Sequence, residues 1–462
     1  MVKVVITSNG RYLIREPTPP NEDKIQDFIR RIEYGLIDLN DVSDPILRYY
    51  VDRELRGFSI LDPLLKDPDI EDIHILGDIV RVVHRKYGML DTNIKVDADE
   101  LVLKLGHRVG SIPTEIKPLL VRTIDLDDAI FRVSITRKSD ISPLTSITLR
   151  RIDLERFSIP FLISQYSMDS YIAALIASLI LLRRSIIFIG PPKSGKTTLL
   201  RSFLSFIPSY VKIVIIQSAG EIILKSELFD YESISIRELY SNGGYSYVDL
   251  FDNVIRSKSP GFLVIGEVRI ERDFWAFLQA SLTRLGAITT MHAESDEDAI
   301  EKMSHPPYGA SRELIMNSVD ALVVLSYDIE DNRKWVSSLS LVDYNDHLIT
   351  IYRSRRLGRL FVREAVDPYK LIESRAFERA IENGNPMLKI LRKEEKIPEF
   401  IIKTAILLEA ITKKCPNMKF SYFTKLIRHY YSGYKTYAPK LKGKIENVSF
   451  KKGLYKNLRD DL

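Results

Sequence analysis

The chain has 462 residues, of which 45% are hydrophobic and 28% are charged, and its formal net charge at pH 7 is only +5. This composition is typical of a folded protein with two or three domains, and the small net charge gives no reason to expect a nucleic-acid partner. A single cysteine, Cys415, excludes an intrachain disulfide and a cysteine metal cluster, which favours a reducing cytoplasm.

The pattern of the chain changes near residue 58. Residues 1–57 are charged and predict a helical N-terminal segment, whereas residues 58–152 contain short alternating runs such as IFRVSITRK and predict a smaller α+β domain. A proline-marked stretch, LERFSIPFLIS, indicates a linker at residues 153–163. The sequence therefore predicts that a first domain ends near residue 152.

The remainder of the chain alternates between apolar runs and helical segments before it becomes helical. Runs such as SIIFIG, VKIVIIQ and GFLVIGE lie within residues 164–366 and predict an α/β domain with a mostly parallel sheet. Residues 367–433 predict a helical C-terminal extension, and residues 434–462 form a basic tail. The most apolar stretch is interrupted by two arginines, so it is shorter than the roughly 20 residues that a membrane span needs.

The segment GPPKSGKTT follows the apolar run SIIFIG and has the pattern of a phosphate-binding loop. The pattern G-x-x-x-x-G-K-[ST] is matched in full. In such a loop the backbone N–H groups surround the β-phosphate of ATP, and the lysine bridges to the γ-phosphate. The threonine hydroxyl after the lysine, here Thr197, is the predicted Mg²⁺ ligand. The predicted ATP-binding residues are Gly190, Pro191, Pro192, Lys193, Ser194, Gly195, Lys196, Thr197 and Thr198.

Two later apolar runs end in side chains that can take part in phosphate chemistry. Glu267 ends the run GFLVIGE, where a carboxylate can hold the Mg²⁺ water shell or act as the general base for the attacking water. The alternative is a solvated Glu267 that pairs with Arg269, and Arg269 is kept among the candidate catalytic residues. His292, at the end of AITTMHA, is a candidate γ-phosphate sensor, although a lone histidine is more often structural.

Four segments together resemble the motifs of the type II/IV secretion-system ATPases in order and spacing: GPPKSGKTT, VIIQSAGEI, VIRSKSPGFLVIGEVR and TTMHAESDEDAIEKM. The N-terminal stretch LDPLLKDPDIEDIHILG is similar to the archaeal branch of that family. The resemblance covers about residues 55–345. It implies an α/β protein with a RecA-like P-loop ATPase domain, an N-terminal α+β domain and a hexameric ring that holds ATP between subunits.

The resemblance also implies roles for single residues. By the motif match, Glu267 is the catalytic glutamate, Glu221 is the last acid of the family's Asp box, and His292 is the second histidine of its His box. Family arginines that reach the nucleotide lie in the N-terminal domain and linker, where a planar cation stabilises charge on the phosphoryl group. A solvated charge on a strand face is the alternative for each. Their matches here are Arg132, Arg150 and, more weakly, Arg137.

The chain departs from the family pattern at two motifs. Gln217 and Ser218 stand where the Asp box usually begins with Glu-Asp, and Arg284 and Leu285 stand where the His box usually has an earlier Gly-His. An amide can orient a water molecule but cannot accept its proton. We therefore expect a working P-loop ATPase, and slow turnover is the alternative that these departures leave open.

The implied function is that of a cytoplasmic homo-hexameric motor, peripherally associated with the inner face of the cell membrane. It would power assembly of an archaeal type IV pilus-like filament or a type II/IV secretion machine through a polytopic membrane platform protein, and would act on pilin-like subunits only indirectly. ATP and Mg²⁺ are the expected cofactors. The alternatives are a conjugation-type nucleic-acid transfer motor, suggested by the basic tail, and a weakly hydrolysing ATP-binding ring component.

Overall fold

The computed structural model describes most of the chain, and the structural statements below concern that part. The described residues are 3–7, 10–55, 58–126, 129–217, 220, 222–235, 258, 260–269, 271–283, 285–343, 345–357, 360–366, 369–371, 374–376 and 396–432. The chain divides into two compact units, of which the first covers Met1–Asp153 and the second begins at Leu154.

The first unit is built on an eight-stranded sheet with the order β1-β2-β5-β4-β3-β8-β7-β6. Strands β2 and β5 run parallel, and the other neighbouring strands run antiparallel. The strands are β1 (Lys3–Ile6), β2 (Arg11–Arg15), β3 (Ile70–Leu76), β4 (Ile79–His84), β5 (Gly88–Lys95), β6 (Leu119–Leu126), β7 (Ala129–Thr136) and β8 (Ser146–Ile152). The helices are α1 (Glu22–Glu33), α2 (Pro45–Leu55), α3 (Asp62–Lys66) and α4 (Ala98–Val109).

Alternation of apolar and polar residues explains this half-buried sheet. In β7, Phe131, Val133 and Ile135 are buried in the core of the unit, and the residues between them are partly exposed. The α+β character predicted for this region is confirmed. The prediction of a separate helical segment at residues 1–57 is wrong, because β1 and β2 extend the same sheet. These two strands are short, and the flanking charged helices dominate the sequence pattern.

The second unit contains a nine-stranded sheet with the order β11-β10-β12-β13-β9-β14-β15-β16-β17. The six strands from β11 to β14 are parallel, and the last three are added antiparallel. The strands are β9 (Ile186–Ile189), β10 (Ile213–Gln217), β11 (Tyr231–Ser235), β12 (Phe262–Ile265), β13 (Gly286–Met291), β14 (Ala321–Asp328), β15 (Arg333–Val342), β16 (Leu348–Leu357) and β17 (Leu360–Val366).

Helices cover both faces of this sheet, as continuously apolar parallel strands require. One core contains residues of α6, α7, α11 and α12, and the other contains residues of α8, α9 and α10. The helices are α5 (Ile159–Ser164), α6 (Ser170–Leu181), α7 (Lys196–Phe203), α8 (Glu271–Leu282), α9 (Asp296–Ser304), α10 (Arg312–Ser318), α11 (Lys396–Lys414) and α12 (Phe420–Ser432). The predicted α/β domain with a mostly parallel sheet and helical C-terminal elements is confirmed.

Two predicted boundaries differ in the structure. The linker expected at residues 153–163 contains the start of α5, whose first turn is capped by the Ser158 hydroxyl. The C-terminal helices α11 and α12 belong to the second unit and pack against its α5 and α6. The basic tail at 434–462 lies outside the described residues. Within the described part, none of the helices has the length and apolar character needed to cross a membrane.

The packing of Phe188 in β9 can be tested by its contribution to the stability of the second unit. The ring of Phe188 is fully buried and lies 6.2 Å, centroid to centroid, from that of Phe203 in α7. We expect Phe188→Ala to lower the free energy of unfolding of the second unit by about 3–5 kcal/mol, measured by urea denaturation. Tyr210→Ala removes a ring that is 68% exposed and should change stability by less than about 0.5 kcal/mol. Equal midpoints for both variants would contradict this packing.

Candidate active site

The predicted site residues of the second unit meet at one edge of its sheet. Strands β12, β13 and β9 are parallel neighbours, so their carboxyl ends lie side by side. Glu267 follows β12, His292 follows β13, and the 190–198 loop joins β9 to α7. Residues that are up to 96 positions apart in the chain are thereby brought into contact.

The path of the 190–198 loop depends on two glycines. Gly190 has φ 157°, and a Cβ there would lie 2.5 Å from the Leu325 carbonyl oxygen. Gly195 has φ 91° and immediately precedes α7, and it offers no side chain to cap that helix. Both positions therefore exclude larger residues. The N–H groups of the first turn of α7 are available for an anion, as the predicted phosphate loop requires.

Lys196 is buried, and its ammonium group has several acceptors. Its Nζ donates to the carbonyl oxygens of Gly190 and Pro191, each at 2.9 Å, and lies 3.2 Å from Nδ1 of His292. Burial lowers the pKa of Lys196 to about 8, although the charge of Glu267 acts in the opposite direction. The predicted phosphate-binding lysine is therefore held in place by three oxygen and nitrogen acceptors.

The network continues from the lysine to the predicted catalytic glutamate. Nε2 of His292, the ring nitrogen that does not face Lys196, lies 2.9 Å from Oε1 of Glu267, and no group in the described part of the chain is placed to hydrogen bond with that oxygen. Arg269 approaches the other oxygen, with Nε at 2.7 Å and Nη2 at 2.6 Å from Oε2. The structure thus connects Lys196, His292, Glu267 and Arg269 in one chain of contacts.

The alternative for Glu267 was a solvated side chain that pairs with Arg269, and the structure agrees with only part of it. The glutamate does pair with Arg269, whose side chain is 59% exposed. The side chain of Glu267 itself is only 18% exposed, and it also contacts His292. A largely buried carboxylate at the end of a strand, with Arg269 on one oxygen and His292 close to the other, differs from a solvated surface pair.

Gln217, at the end of β10, is engaged in holding the backbone. Its Oε1 accepts from Ile222 N at 2.8 Å, and its Nε2 donates to Ile222 O and to Ser233 Oγ, both at 3.0 Å. The amide therefore pairs with a peptide group across the turn that follows β10, which a carboxylate cannot do because it lacks donors. Ser218, Glu221 and Arg284 lie outside the described residues, and Leu285 is partly buried.

The three arginine-finger candidates lie in the first unit. Arg132 and Arg150 are directly opposite each other in β7 and β8. Arg150 also forms an ion pair with Asp72 of β3, with Nε 2.7 Å from Oδ1. Arg137 donates from Nη1 to the carbonyl oxygen of Pro113 at 3.0 Å. The role of these arginines towards a nucleotide stays a prediction.

A cavity of about 540 Å³ adjoins the 190–198 loop, and the sequence did not predict its walls. One wall comes from the 156–167 segment, one from the loop and α7, and one from the turn between β14 and β15. The Arg156 guanidinium lies 5.3 Å from the ring centroids of both Phe157 and Phe161. These basic and aromatic residues lie inside the predicted linker, and their interleaving was the signal available in the sequence.

Ser194 of the loop is one of the residues that line this cavity. Its hydroxyl is buried, and no group in the described part of the chain is placed to hydrogen bond with it. The hydroxyl lies towards Gly190, where a Cβ would be 2.8 Å from it.

Comparison with known proteins gives the family. Residues 127–358 match the family model described as "Type II/IV secretion system protein". The chain belongs to this family. Among relatives, the uncharacterized protein MJ0900 of Methanocaldococcus jannaschii is 31% identical over 268 residues, which are 56% of this chain and 47% of the relative. The uncharacterized protein MJ1287 of the same archaeon is 32% identical over 190 residues, which are 40% of this chain and 68% of the relative.

Two similar solved structures are an ATPase and a pilus motor. The Legionella pneumophila ATPase DotB has a TM-score of 0.47 and 15% identity, with 94% of this chain and 98% of DotB covered. The pilus retraction motor PilT with bound ADP has a TM-score of 0.43 and 16% identity, with coverages of 72% and 89%. The chain spans about half the length of its relative MJ0900.

The contacts of Gln217 predict the effect of an acid at this position. In Gln217→Glu, a carboxylate would replace the donor that faces Ile222 O, and burial would raise its pKa. We expect the free energy of unfolding to fall by about 1–3 kcal/mol at pH 8 and by less at pH 5, where protonation restores a donor. Urea denaturation at both pH values measures this.

Ser233→Ala is the matched control for Gln217→Glu, because it removes one partner of the amide and introduces no charge. Its effect should be smaller and independent of pH. A Gln217→Glu variant as stable as the wild type at pH 8 would show that the pairing with Ile222 contributes nothing.

Proposed function

We propose that the chain is an ATP-hydrolysing motor subunit that powers a type II/IV secretion or type IV pilus-like machine. The observation that carries this proposal is the chain of contacts from Lys196 through His292 to Glu267, at a sheet edge that adjoins a cavity. A phosphate-binding lysine, a polar sensor and a buried carboxylate are the groups that phosphoryl transfer to water needs.

The shape of the site supports a nucleoside triphosphate as the ligand. The triphosphate would lie on the 190–198 loop, where the N–H groups of α7 and the ammonium of Lys196 can contact it. The nucleoside would lie in the adjoining cavity, whose volume of about 540 Å³ is in the range of small-molecule pockets. Phe157 and Phe161 give this cavity an apolar wall.

The residues of the network have distinct tasks in the proposed reaction. Lys196 would exchange a carbonyl acceptor for the phosphate, where its charge stabilises the transition state. Glu267 would accept the proton of the attacking water: Arg269 holds its Oε2, and its buried Oε1 has no hydrogen-bond partner among the described residues. Mg²⁺ prefers oxygen ligands, so the Thr197 hydroxyl fits as its protein ligand, and the bound ion would neutralise phosphate charge.

Assembly and location are proposed from family membership. A homo-hexamer on the inner face of the cell membrane, a polytopic platform protein and an archaeal filament stay proposals, as do Glu221 as an acid and Arg132, Arg137 and Arg150 as arginine fingers. Neither alternative gains support from a described residue. The basic tail lies outside the described residues. The amide of Gln217 hydrogen bonds to the backbone of Ile222, so its presence in place of an acid does not imply a loss of activity.

Two substitutions test the proposed chemistry separately. Lys196→Ala should abolish ATP binding, because it removes the buried cation of the loop. Glu267→Gln should still bind ATP but hydrolyse it at least about 100-fold more slowly, because an amide cannot accept a proton. Phosphate release and equilibrium ATP binding measure the two effects. Lys413→Ala, at a surface position that is 70% exposed, should match the wild type. Wild-type turnover in Lys196→Ala would refute the site.

The lowered pKa of Lys196, about 8, predicts how ATP affinity depends on pH. A triphosphate next to the ammonium raises this pKa, so binding takes up a proton wherever the free lysine is neutral. We expect Kd for ATP to be nearly constant below pH 7 and to rise about 10-fold per pH unit above pH 8. Titration calorimetry in buffers of different ionisation enthalpy measures both Kd and proton uptake.

Lys196→Arg is the control for the pH dependence, because a guanidinium stays charged over this range. Any binding that this variant retains should be independent of pH between 7 and 9.5. A wild-type Kd that is equally flat over that range would show that Lys196 does not titrate on binding.

A further inference from the structure

The short segment 155–158, at the start of the second unit, is fastened to the C-terminal helices. The N–H of Phe420 donates to the carbonyl oxygen of Glu155 at 2.8 Å, and the N–H of Ser421 donates to its Oε2 at 3.0 Å. The hydroxyl of Ser158 donates to the carbonyl oxygen of Met418 at 2.6 Å. Three hydrogen bonds therefore connect positions that are about 260 residues apart in the sequence.

Glu155 acts as the acceptor that the N-terminus of α12 needs. The first N–H groups of a helix lack partners within it, and they favour a negative charge. The second carboxylate oxygen, Oε1, lies 2.5 Å from Nζ of Lys225. Burial raises the pKa of Glu155, but the hydrogen bonds from Lys225 and from the N–H of Ser421 outweigh it, so that the pKa is lowered. The carboxylate is thus held charged at neutral pH by two partners.

Helix α12 is itself anchored to the second unit. Arg428 donates from Nε to the carbonyl oxygen of Ile207 at 2.9 Å, and its guanidinium lies 4.3 Å from the ring centroid of Phe229. The ring of Phe423 is fully buried and meets that of Phe206 edge-on, with centroids 5.7 Å apart. Because α12 has a fixed place, its N-terminus can define where Glu155 lies.

The opposite side of the segment is fastened to α7. The hydroxyl of Ser202 donates to the carbonyl oxygen of Phe157 at 2.6 Å. Between the two attachments, the side chains of Arg156 and Phe157 line the cavity next to the 190–198 loop. The position of this cavity wall is therefore set by α7 on one side and by α12 on the other.

We propose that Glu155 is a positioning residue through which α12 holds Arg156 and Phe157 in the cavity wall, so that the C-terminal helices set the affinity for a nucleoside triphosphate. This inference rests on the proposed function. Reciprocity follows from linkage: whatever strengthens the docking of α12 strengthens nucleotide binding, and nucleotide binding strengthens the docking by the same factor. The C-terminal helices thereby become part of the nucleotide site without contacting the nucleotide.

The sharpest test removes one N–H group and leaves the rest of α12 unchanged. Ser421→Pro deletes the donor to Glu155 at the first turn of the helix, where proline is tolerated. Ser421→Ala keeps the N–H and is the matched control, because both variants lose the hydroxyl that also hydrogen bonds to Glu155. We expect Kd for ATP to be about 10-fold higher in Ser421→Pro than in Ser421→Ala, the effect of losing one hydrogen bond to a charged group. The turnover of the saturated enzyme should stay within about two-fold in both.

A second pair of variants covers the case in which Ser421→Pro does not fold. Glu155→Gln keeps an acceptor for the N–H of Ser421, whereas Glu155→Leu removes it. Kd for ATP should rise more in Glu155→Leu than in Glu155→Gln. Glu409→Ala removes a surface ion pair of α11 and should leave Kd unchanged.

The outcomes separate this inference from the proposed function. A wild-type protein that does not bind ATP would overturn both. If the wild type binds ATP and Lys196→Ala does not, the proposed site stands. In that case, a Kd for Ser421→Pro or Glu155→Leu equal to that of the wild type, with only a lower melting temperature, would overturn the positioning role and leave α12 a purely structural element.

Discussion

The buried ammonium group of Lys196 is the constraint on which the candidate site depends. A charge with little access to water needs acceptors, and the structure supplies two carbonyl oxygens of its own loop and a ring nitrogen of His292. The carbonyl acceptors tie the loop to the lysine, and the histidine ties the loop to the neighbouring strand. One side chain therefore fixes the relative positions of two strand ends.

The spatial order of the strands decides which groups meet. Along the sheet, β12, β13 and β9 are consecutive neighbours, and the contacts run in the same order from Glu267 to His292 to Lys196. In the chain the lysine comes first. The alternation of strands and helices brings the three together, because each parallel connection returns the chain to the same edge.

The sequence predicts those parts of the fold and of the candidate site that depend on short, continuous stretches of the chain. The strand-loop-helix arrangement around residues 190–198, the strand ends that carry Glu267 and His292, and the mostly parallel sheet follow from short motifs and apolar runs. The pairing of Gln217 with Ile222 was not predictable, because the same amide could also face a ligand. The addition of β1 and β2 to the first sheet and the walls of the cavity depend on contacts between distant segments, which periodicity does not report.

The most distant of these contacts give the C-terminal helices a physical reason to be part of the second unit. Segment 155–158 lies just after Asp153, where the continuous stretch Met1–Asp153 of the first unit ends. The start of the second unit is therefore fixed within that unit. Hydrogen bonds from α7 and α12 provide that fixed point on both sides of the segment. If α12 were absent, the carboxylate of Glu155 would lose its helix N-terminus, and the backbone of the wall carrying Arg156 would lose its hydrogen bonds to that helix.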